Sequence, residues 1–200
     1  MNANTLPEIF AHFGKNVKVM LIIRHGHKAA DGNLTPECIN DIMNDGFPGL
    51  TPSINVLQHG SDFIWTNETG VAATVWIRNN GGTITKNLPS DSRLGNTRVF
   101  AMYDDRVKTQ MKEKGWKNYE ALVKTNPAGL LRFETELIGF VRETFYQLET
   151  GDVALIPAHS PTVEAVYNTF AEDQDRKIQF SELEGIFLVQ TINEDIFVYR

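Results

Sequence analysis

The chain has 200 residues, 42% hydrophobic and 22% charged, a composition that argues against a disordered, fibrous or repeat protein. A chain of this length can bury one compact core, so we expect a single domain over residues 1–200. The formal net charge of -6 argues against nucleic acid as a partner, because any anion-binding site must be built locally against that charge. The single cysteine, Cys38, excludes an internal disulfide and a multi-cysteine metal cluster.

The pattern along the chain alternates between strand-like and helix-like segments. In chain order it predicts a strand at Val17–Ile23, helices at about Thr35–Asn44 and Pro52–Gly60, a strand at Asp62–Thr66, a helix at Asn67–Asn79, strands at Gly82–Lys86 and Thr97–Met102, helices at Arg106–Lys114 and Gly129–Glu149, a strand at Val153–Pro157, a helix at Pro161–Phe170, and strands at Gly185–Thr191 and Ile196–Tyr199. This alternation is typical of a mostly parallel sheet between helices, a three-layer α/β/α sandwich.

Local signals mark several boundaries of these segments. Thr35-Pro36 and Ser160-Pro161 each place an oxygen-bearing cap before a proline, which predicts a helix start at both places. The polar link Asn193-Glu194-Asp195 predicts a hairpin between the last two strands. This hairpin would put one antiparallel strand into an otherwise parallel sheet.

Membrane association and export are not predicted. Glu8 and Lys15 interrupt the first fifteen residues, which therefore lack the apolar core of a secretory signal. The run Val17–Ile23 contains Lys18 and is far shorter than the roughly 20 apolar residues of a membrane span. We expect a cytoplasmic protein without a membrane partner, and its oligomeric state stays open.

The sharpest chemical feature is the sequence Arg24-His25-Gly26-His27, which ends the first predicted strand. Ligands of open α/β sheets bind beyond the carboxyl ends of the strands. An arginine fork suits phosphate oxygens, and a neutral histidine can act as a nucleophile near pH 7. An exposed charged loop is the alternative interpretation.

A second histidine occupies the equivalent place on another strand. His159 follows the buried-type run Val153–Ala158, and a predicted helix begins directly after it. The free N–H groups of a helix start favour an anion. Two strand-end histidines therefore point to one pocket.

These two motifs resemble the signatures of the histidine phosphatase (phosphoglycerate mutase-like) superfamily. Arg24-His25-Gly26 looks like its first motif, and Leu34-Thr35-Pro36-Glu37 continues that motif with Cys38 in place of a glycine. Ala158-His159-Ser160-Pro161 looks like the stretch around its second histidine. The resemblance implies a phosphoglycerate mutase-like fold, a mixed sheet between helices.

The resemblance also implies an activity, which is metal-independent phosphoryl transfer through a phosphohistidine. His25 would attack phosphorus, and Arg24 with His159 would neutralise the phosphoryl oxygens. No cofactor is implied, and the substrate would be a phosphorylated small molecule or a phosphoprotein. A catalytically weak member that binds an anion or a protein partner in the same cleft is the competing hypothesis.

The sequence departs from the family where a second pocket arginine is usual, at the start of the helix after the second strand. We place Gly70 at that position. Arg93 and Arg98 are candidate replacements for binding phosphate, although both also suit an exposed loop. His27 and Lys28 could reach the phosphate from the first motif or be solvated instead.

The residue that protonates the leaving oxygen is not evident from the sequence. Asp91 and Glu164 are the two candidates. Glu164 could instead orient an imidazole or stand as an ordinary carboxylate at a helix start.

Overall fold

The computed structural model describes residues 5–47, 50, 55–58, 63–87, 89–172 and 178–200, without the side chains of residues 55–58 and 96–98. The described chain contains α-helices α1 (Leu6–Phe13), α2 (Pro36–Asp45), α3 (Ile64–Asn79), α4 (Asn96–Met102), α5 (Asp105–Lys114), α6 (Asn118–Thr125), α7 (Pro127–Gln147) and α8 (Thr162–Phe170). Its strands are β1 (Lys18–Arg24), β2 (Asn55–Gln58), β3 (Thr83–Asn87), β4 (Val153–Ala158), β5 (Gly185–Gln190) and β6 (Ile196–Tyr199).

The strands form one mixed sheet in the order β3-β2-β4-β1-β5-β6. β1 pairs in parallel with β4, and β2 pairs in parallel with both β3 and β4. β5 runs antiparallel to β1 and to β6. The predicted hairpin is confirmed, and β5 is the one antiparallel strand among the strands that the structure describes.

Helices cover both faces of this sheet and create two cores. Alternate residues of β1 supply them, because successive side chains of a strand point to opposite faces. Met20 and Ile22 join a core with residues of α4 to α8, whereas Val19, Leu21 and Ile23 join one with residues of α1, α2 and α3. The three-layer α/β/α sandwich predicted from the sequence is confirmed.

The predicted helix start at Thr35-Pro36 is confirmed. The Thr35 hydroxyl accepts a hydrogen bond from the Cys38 N–H (3.3 Å), and Pro36 is the first residue of α2. The other predicted start is displaced by one residue, because α8 begins at Thr162 with Pro161 as its N-cap.

Three predicted segments have the wrong secondary structure. The strand predicted at Asp62–Thr66 and the strand predicted at Thr97–Met102 lie largely in α3 and α4. Their aromatic and β-branched residues favour strands, but packing decides otherwise: Val99 and Met102, three residues apart, are both buried in the core beneath α4. The segment Pro52–Gly60, predicted as a helix, instead contains strand β2, which lies between β3 and β4 in the sheet. The other residues of that segment lie outside the described residues.

Two helices, α1 and α6, were absent from the sequence prediction. The sequence does carry a signal for the start of α1, because Thr5 and Glu8 form the Thr-x-x-Glu pattern of a helix N-terminus. In the structure the Thr5 side chain accepts a hydrogen bond from the Glu8 N–H. In the part of the chain that the structure describes, no helix is long and apolar enough to cross a membrane.

Candidate active site

The pairing of β1 with β4 brings the two motifs side by side. Arg24, the last residue of β1, stands in register with Ala158, the last residue of β4. The His25 N–H donates to the Ala158 carbonyl oxygen at 2.8 Å, so His25 and His159 follow adjacent strand ends. Neighbouring strands are about 4.8 Å apart. The two histidines therefore stand together at the carboxyl edge of the sheet.

A cavity of about 310 Å³ opens at this edge. Its described lining includes the residues of both motifs together with aromatic, apolar and cationic side chains: Arg24, His25, Lys28, Phe63, Trp65, Val99, Phe100, Tyr103, Lys108, Met111, Asn118, His159 and Ser160. Its size lies at the lower end of the range for small-molecule sites.

His25 is held as a neutral imidazole. The residue is 5% exposed, and Nδ1 lies 2.7 Å from the Gly26 carbonyl oxygen. A carbonyl can only accept, so Nδ1 carries the hydrogen and Nε2 carries the lone pair. Burial is the main cause that lowers the pKa of His25 to about 4, with Arg24, His159 and Lys28 adding repulsion. At neutral pH the ring has the protonation state of a nucleophile.

The backbone around His25 leaves no room for a larger residue at position 26. The Gly26 N–H donates to the Thr69 hydroxyl of α3 at 3.1 Å, and the His27 N–H donates to the Cys38 Sγ of α2 at 3.2 Å. A Cβ at Gly26 would collide with Cys38 Sγ. The loop that carries His25 is therefore clamped between two helices.

Arg24 is anchored by the segment that precedes β5. Its Nη1 donates to the Phe180 carbonyl oxygen (2.6 Å), and its Nη2 lies 3.1 Å from Glu182 Oε1. Its Nε is buried and has no hydrogen-bond partner among the described residues. An unpaired buried N–H is costly, so the described residues leave this donor unsatisfied.

Aromatic rings join the two histidines. Phe63 stacks on Trp65 with centroids 4.4 Å apart and meets His159 edge to face at 4.7 Å. Trp65 lies 5.8 Å from the His25 ring, and Lys28 Nζ lies 4.3 Å from the centre of a Trp65 ring. Lys28 therefore reaches the cavity, as one of the sequence alternatives had it.

Gly70 does not occupy the position assigned to it from the sequence. It is buried in the second turn of α3 and is absent from the described cavity lining. The misplacement has a simple cause, since α3 begins at Ile64 instead of Asn67. Phe63, the N-cap of α3, and Trp65, in its first turn, line the cavity at this helix start, and neither is predicted as a site residue from the sequence.

Arg93 and Asp91, both predicted in the site, bind each other. Arg93 Nη2 lies 2.6 Å from Asp91 Oδ2 and 2.6 Å from Glu143 Oε2, and the guanidinium stacks over Phe140. Both residues are outside the described cavity lining, and so is His27, whose side chain is exposed. The Arg98 side chain lies outside the described residues.

Glu164 is fully buried and is absent from the described cavity lining. Its Oε1 accepts a hydrogen bond from the Phe180 N–H at 3.3 Å, and Phe180 in turn accepts from Arg24 through its carbonyl oxygen. Burial raises the pKa of Glu164, against the smaller opposing effects of hydrogen bonds and of Arg24. Glu164 therefore positions Arg24 through the backbone of Phe180. No Asp or Glu belongs to the described cavity lining, so neither acid candidate lies in it.

No protein-family model and no curated protein match the chain. Among solved structures it is similar to a phosphoglycerate mutase from Bacillus anthracis, at 13% identity and a TM-score of 0.61 over 92% of each chain. It is also similar to a phosphoserine phosphatase from Entamoeba histolytica bound to 3-phosphoglyceric acid, at 10% identity and a TM-score of 0.57, over 92% of this chain and 95% of that one. These likenesses confirm the phosphoglycerate mutase-like fold predicted from the sequence.

Proposed function

We propose that this chain, which has the phosphoglycerate mutase-like fold, is a phosphomonoester hydrolase that works through a phosphohistidine on His25. The observation that carries the proposal is the state of His25: a neutral ring, tied through Nδ1, at a strand end that lines one cavity with Arg24 and His159. The substrate would be a phosphorylated small molecule or a phosphorylated protein side chain.

In the first step His25 Nε2 attacks phosphorus. A bond forms between nitrogen and phosphorus, the bond from phosphorus to the leaving oxygen breaks, and the leaving oxygen takes up a proton from the solvent, to which the attacking water of the second step returns one. In the second step water attacks the phosphohistidine, which releases inorganic phosphate and returns His25 to its neutral form. Splitting the displacement into two steps is the usual advantage of a covalent intermediate.

Positive groups around His25 would stabilise the transferring phosphoryl group. Phosphoryl transfer is accelerated mainly by positioning and by preorganised charge around the equatorial oxygens. Arg24, Lys28 and Lys108 place three cationic side chains in the described lining. His159 would contribute a hydrogen bond or, when protonated, a further charge.

Hydrolysis of phenyl phosphate in the presence of a chelator tests the proposal. We expect turnover without added metal, because the nucleophile is a side chain. His25→Ala should abolish turnover, whereas His12→Ala, which removes an exposed histidine of α1, should leave it intact. Loss of turnover on chelation with recovery on adding a divalent ion, or full activity of His25→Ala, would contradict the phosphohistidine route.

The second candidate function is anion or partner binding without efficient turnover. It is favoured by Glu182, which pairs with Arg24, and by Trp65 at the start of α3, where a cation would add charge. Phosphate binding by calorimetry separates the two functions. A protein that binds inorganic phosphate and shows no His25-dependent hydrolysis of any phosphomonoester would support the binding function.

A further inference from the structure

One part of the cavity is built from aromatic side chains that the phosphoryl chemistry does not use. Phe63 and Trp65 come from the start of α3, and Phe100 and Tyr103 come from α4 and its C-terminal end. Phe63 lies at the centre, since it stacks on Trp65 and also meets Phe100 edge to face at 5.5 Å. Val99 and Met111 add apolar surface to the same lining.

This aromatic cluster is continuous with the proposed site of phosphoryl transfer. Phe63 contacts His159 edge to face, and Trp65 lies beside His25. A phosphoryl group held between the two histidines therefore has aromatic rings next to it. The group attached to that phosphoryl must leave the cavity past these rings or lie against them.

The charged groups of the lining are of the kind that bind the phosphate end of a ligand. Arg24, Lys28 and Lys108 carry positive charge, which suits the phosphoryl oxygens, and the neutral polar side chains of the described lining include Asn118, Ser160 and Tyr103. Hydroxyl groups placed against Phe63, Trp65 and Phe100 would lose hydrogen bonds to water without recovering them. The surface beside the phosphate favours an apolar group.

The size of the cavity also fits an aromatic group. A dry cavity of about 150 Å³ is enough for one benzene ring. The cavity of about 310 Å³ therefore has room for a phosphoryl group and one ring. Phe100, which is 58% exposed although apolar, would be covered by such a ring.

We propose that the substrate is an aryl phosphate monoester, with the phosphoryl group at His25 and the aromatic ring against Phe63, Trp65 and Phe100. This inference rests on the proposed hydrolase function for its reaction and on the aromatic cluster for its specificity. A free aryl phosphate and a phosphotyrosine side chain share this chemistry.

The test measures binding of two phosphonates that cannot be hydrolysed. Calorimetry on the full chain compares phenylphosphonate with methylphosphonate, which differ only in the group attached to phosphorus. We expect phenylphosphonate to bind at least about tenfold more tightly, as ring burial and aromatic contacts together allow. Equal affinities, or no binding of either compound, would overturn the inference.

Two substitutions locate the preference. Phe100→Ala should reduce the affinity for phenylphosphonate by about fivefold or more and change that for methylphosphonate by less than about twofold. Tyr146→Ala is the matched control, because Tyr146 is 89% exposed on α7 and is not among the residues that line the cavity. A preference that survives Phe100→Ala, or that is lost in Tyr146→Ala, would contradict the proposed position of the ring.

Failure of this inference can be told apart from failure of the hydrolase proposal. Phosphonate binding needs no turnover, so an inactive protein with the aromatic preference contradicts the hydrolase alone. His25-dependent turnover without the preference contradicts the aryl substrate alone. Competition between phenylphosphonate and a phosphotyrosyl peptide then identifies the source: tighter binding of the peptide assigns a protein side chain, and weaker binding assigns a free aryl phosphate.

Discussion

His25 is the residue on which the proposed chemistry depends, and its protonation can be measured directly. The Gly26 carbonyl fixes its tautomer, and burial keeps its ring neutral far below the usual histidine range. A nucleophile in this state does not have to lose a proton before it attacks. Because the buried ring resists protonation, the free energy of unfolding decreases in acid.

The first prediction is the titration of the His25 ring. Its NMR midpoint should lie near pH 4, because burial disfavours the charged form. The resonance can be assigned by its loss in His25→Asn. A midpoint near 6.5 would contradict the burial of the His25 ring from solvent.

This titration also predicts how stability depends on pH. The folded pKa is below the unfolded value, so the unfolded chain binds more protons between about pH 4 and pH 6.5, and stability falls as pH falls through this window. Each pKa unit corresponds to about 1.4 kcal/mol, so His25 contributes a loss on the order of 3 kcal/mol. His25→Asn should flatten the pH dependence of the urea midpoint in this window. A slope unchanged by the substitution would contradict the burial argument.

Glu182 is the residue that competes with an anion for Arg24. Its Oε1 lies 3.1 Å from Arg24 Nη2, and its side chain is 40% exposed. Exposed ion pairs contribute about 0–1 kcal/mol. We therefore predict that Glu182→Gln tightens inorganic phosphate binding by about two- to fivefold, measured by calorimetry.

The control for this prediction is Glu184→Gln, two residues further along. It removes the same charge, while the Arg24 N–H still donates to the Glu184 backbone oxygen. An equal effect of both substitutions would show that net charge decides the affinity, and not the contact with Arg24.

At the scale of elements, the contact between β5 and β1 holds the segment that anchors Arg24. Gly185 begins β5 opposite Ile23, and a Cβ at this position would collide with the backbone of Ile22 and Ile23. A glycine inside a strand often marks such a close backbone approach. The two strands could accommodate a side chain here only by moving apart.

We predict that Gly185→Ala lowers the free energy of unfolding by about 2 kcal/mol or more, as overpacking does. Urea denaturation measures the change. Gly81→Ala is the comparison: nothing lies near a Cβ there, and its φ of +86° alone should cost about 1 kcal/mol. A smaller loss at Gly185 than at Gly81 would contradict the close approach of β5 to β1.

The sequence also predicts elements with uneven success, for physical reasons. β1 and β4 are buried on both faces and read as continuous apolar runs, so their positions and the histidines after them could be predicted. The start of α3 could not, because Phe63-Ile64-Trp65-Thr66 has the composition of a strand and tertiary packing makes it helical. The predicted helix therefore begins at Asn67, three residues after the observed start at Ile64. Gly70 is assigned to the start of the helix for this reason, whereas Trp65 lies there in the structure.

For the whole molecule, the candidate site combines parts that are close and parts that are far apart in the chain. Arg24 and His25 are neighbours in sequence, and their motif is readable there. Phe100 and the Phe180 carbonyl reach the site only through the packing of α4 and of the segment before β5. No local sequence pattern predicts these long-range contacts. The ion pair between Arg93 and Glu143, which are 50 residues apart, could not be predicted for the same reason.

The overall charge of the chain makes the local arrangement of cations more important. A net charge of -6 repels a phosphate dianion, so attraction must come from the groups at the carboxyl edge of the sheet. Arg24, Lys28 and Lys108 gather there around two imidazoles. The fold brings together a positive site that the composition alone would not suggest.

Trapping of the covalent intermediate tests the central proposal most directly. Rapid quenching of the full chain with phenyl phosphate, followed by peptide mass spectrometry under alkaline conditions that preserve phosphohistidine, should find one phosphoryl group on His25. His25→Ala should show neither the phosphopeptide nor turnover, and His12→Ala should show both. Turnover that leaves His25 unmodified in the quenched protein and survives His25→Ala would contradict the account.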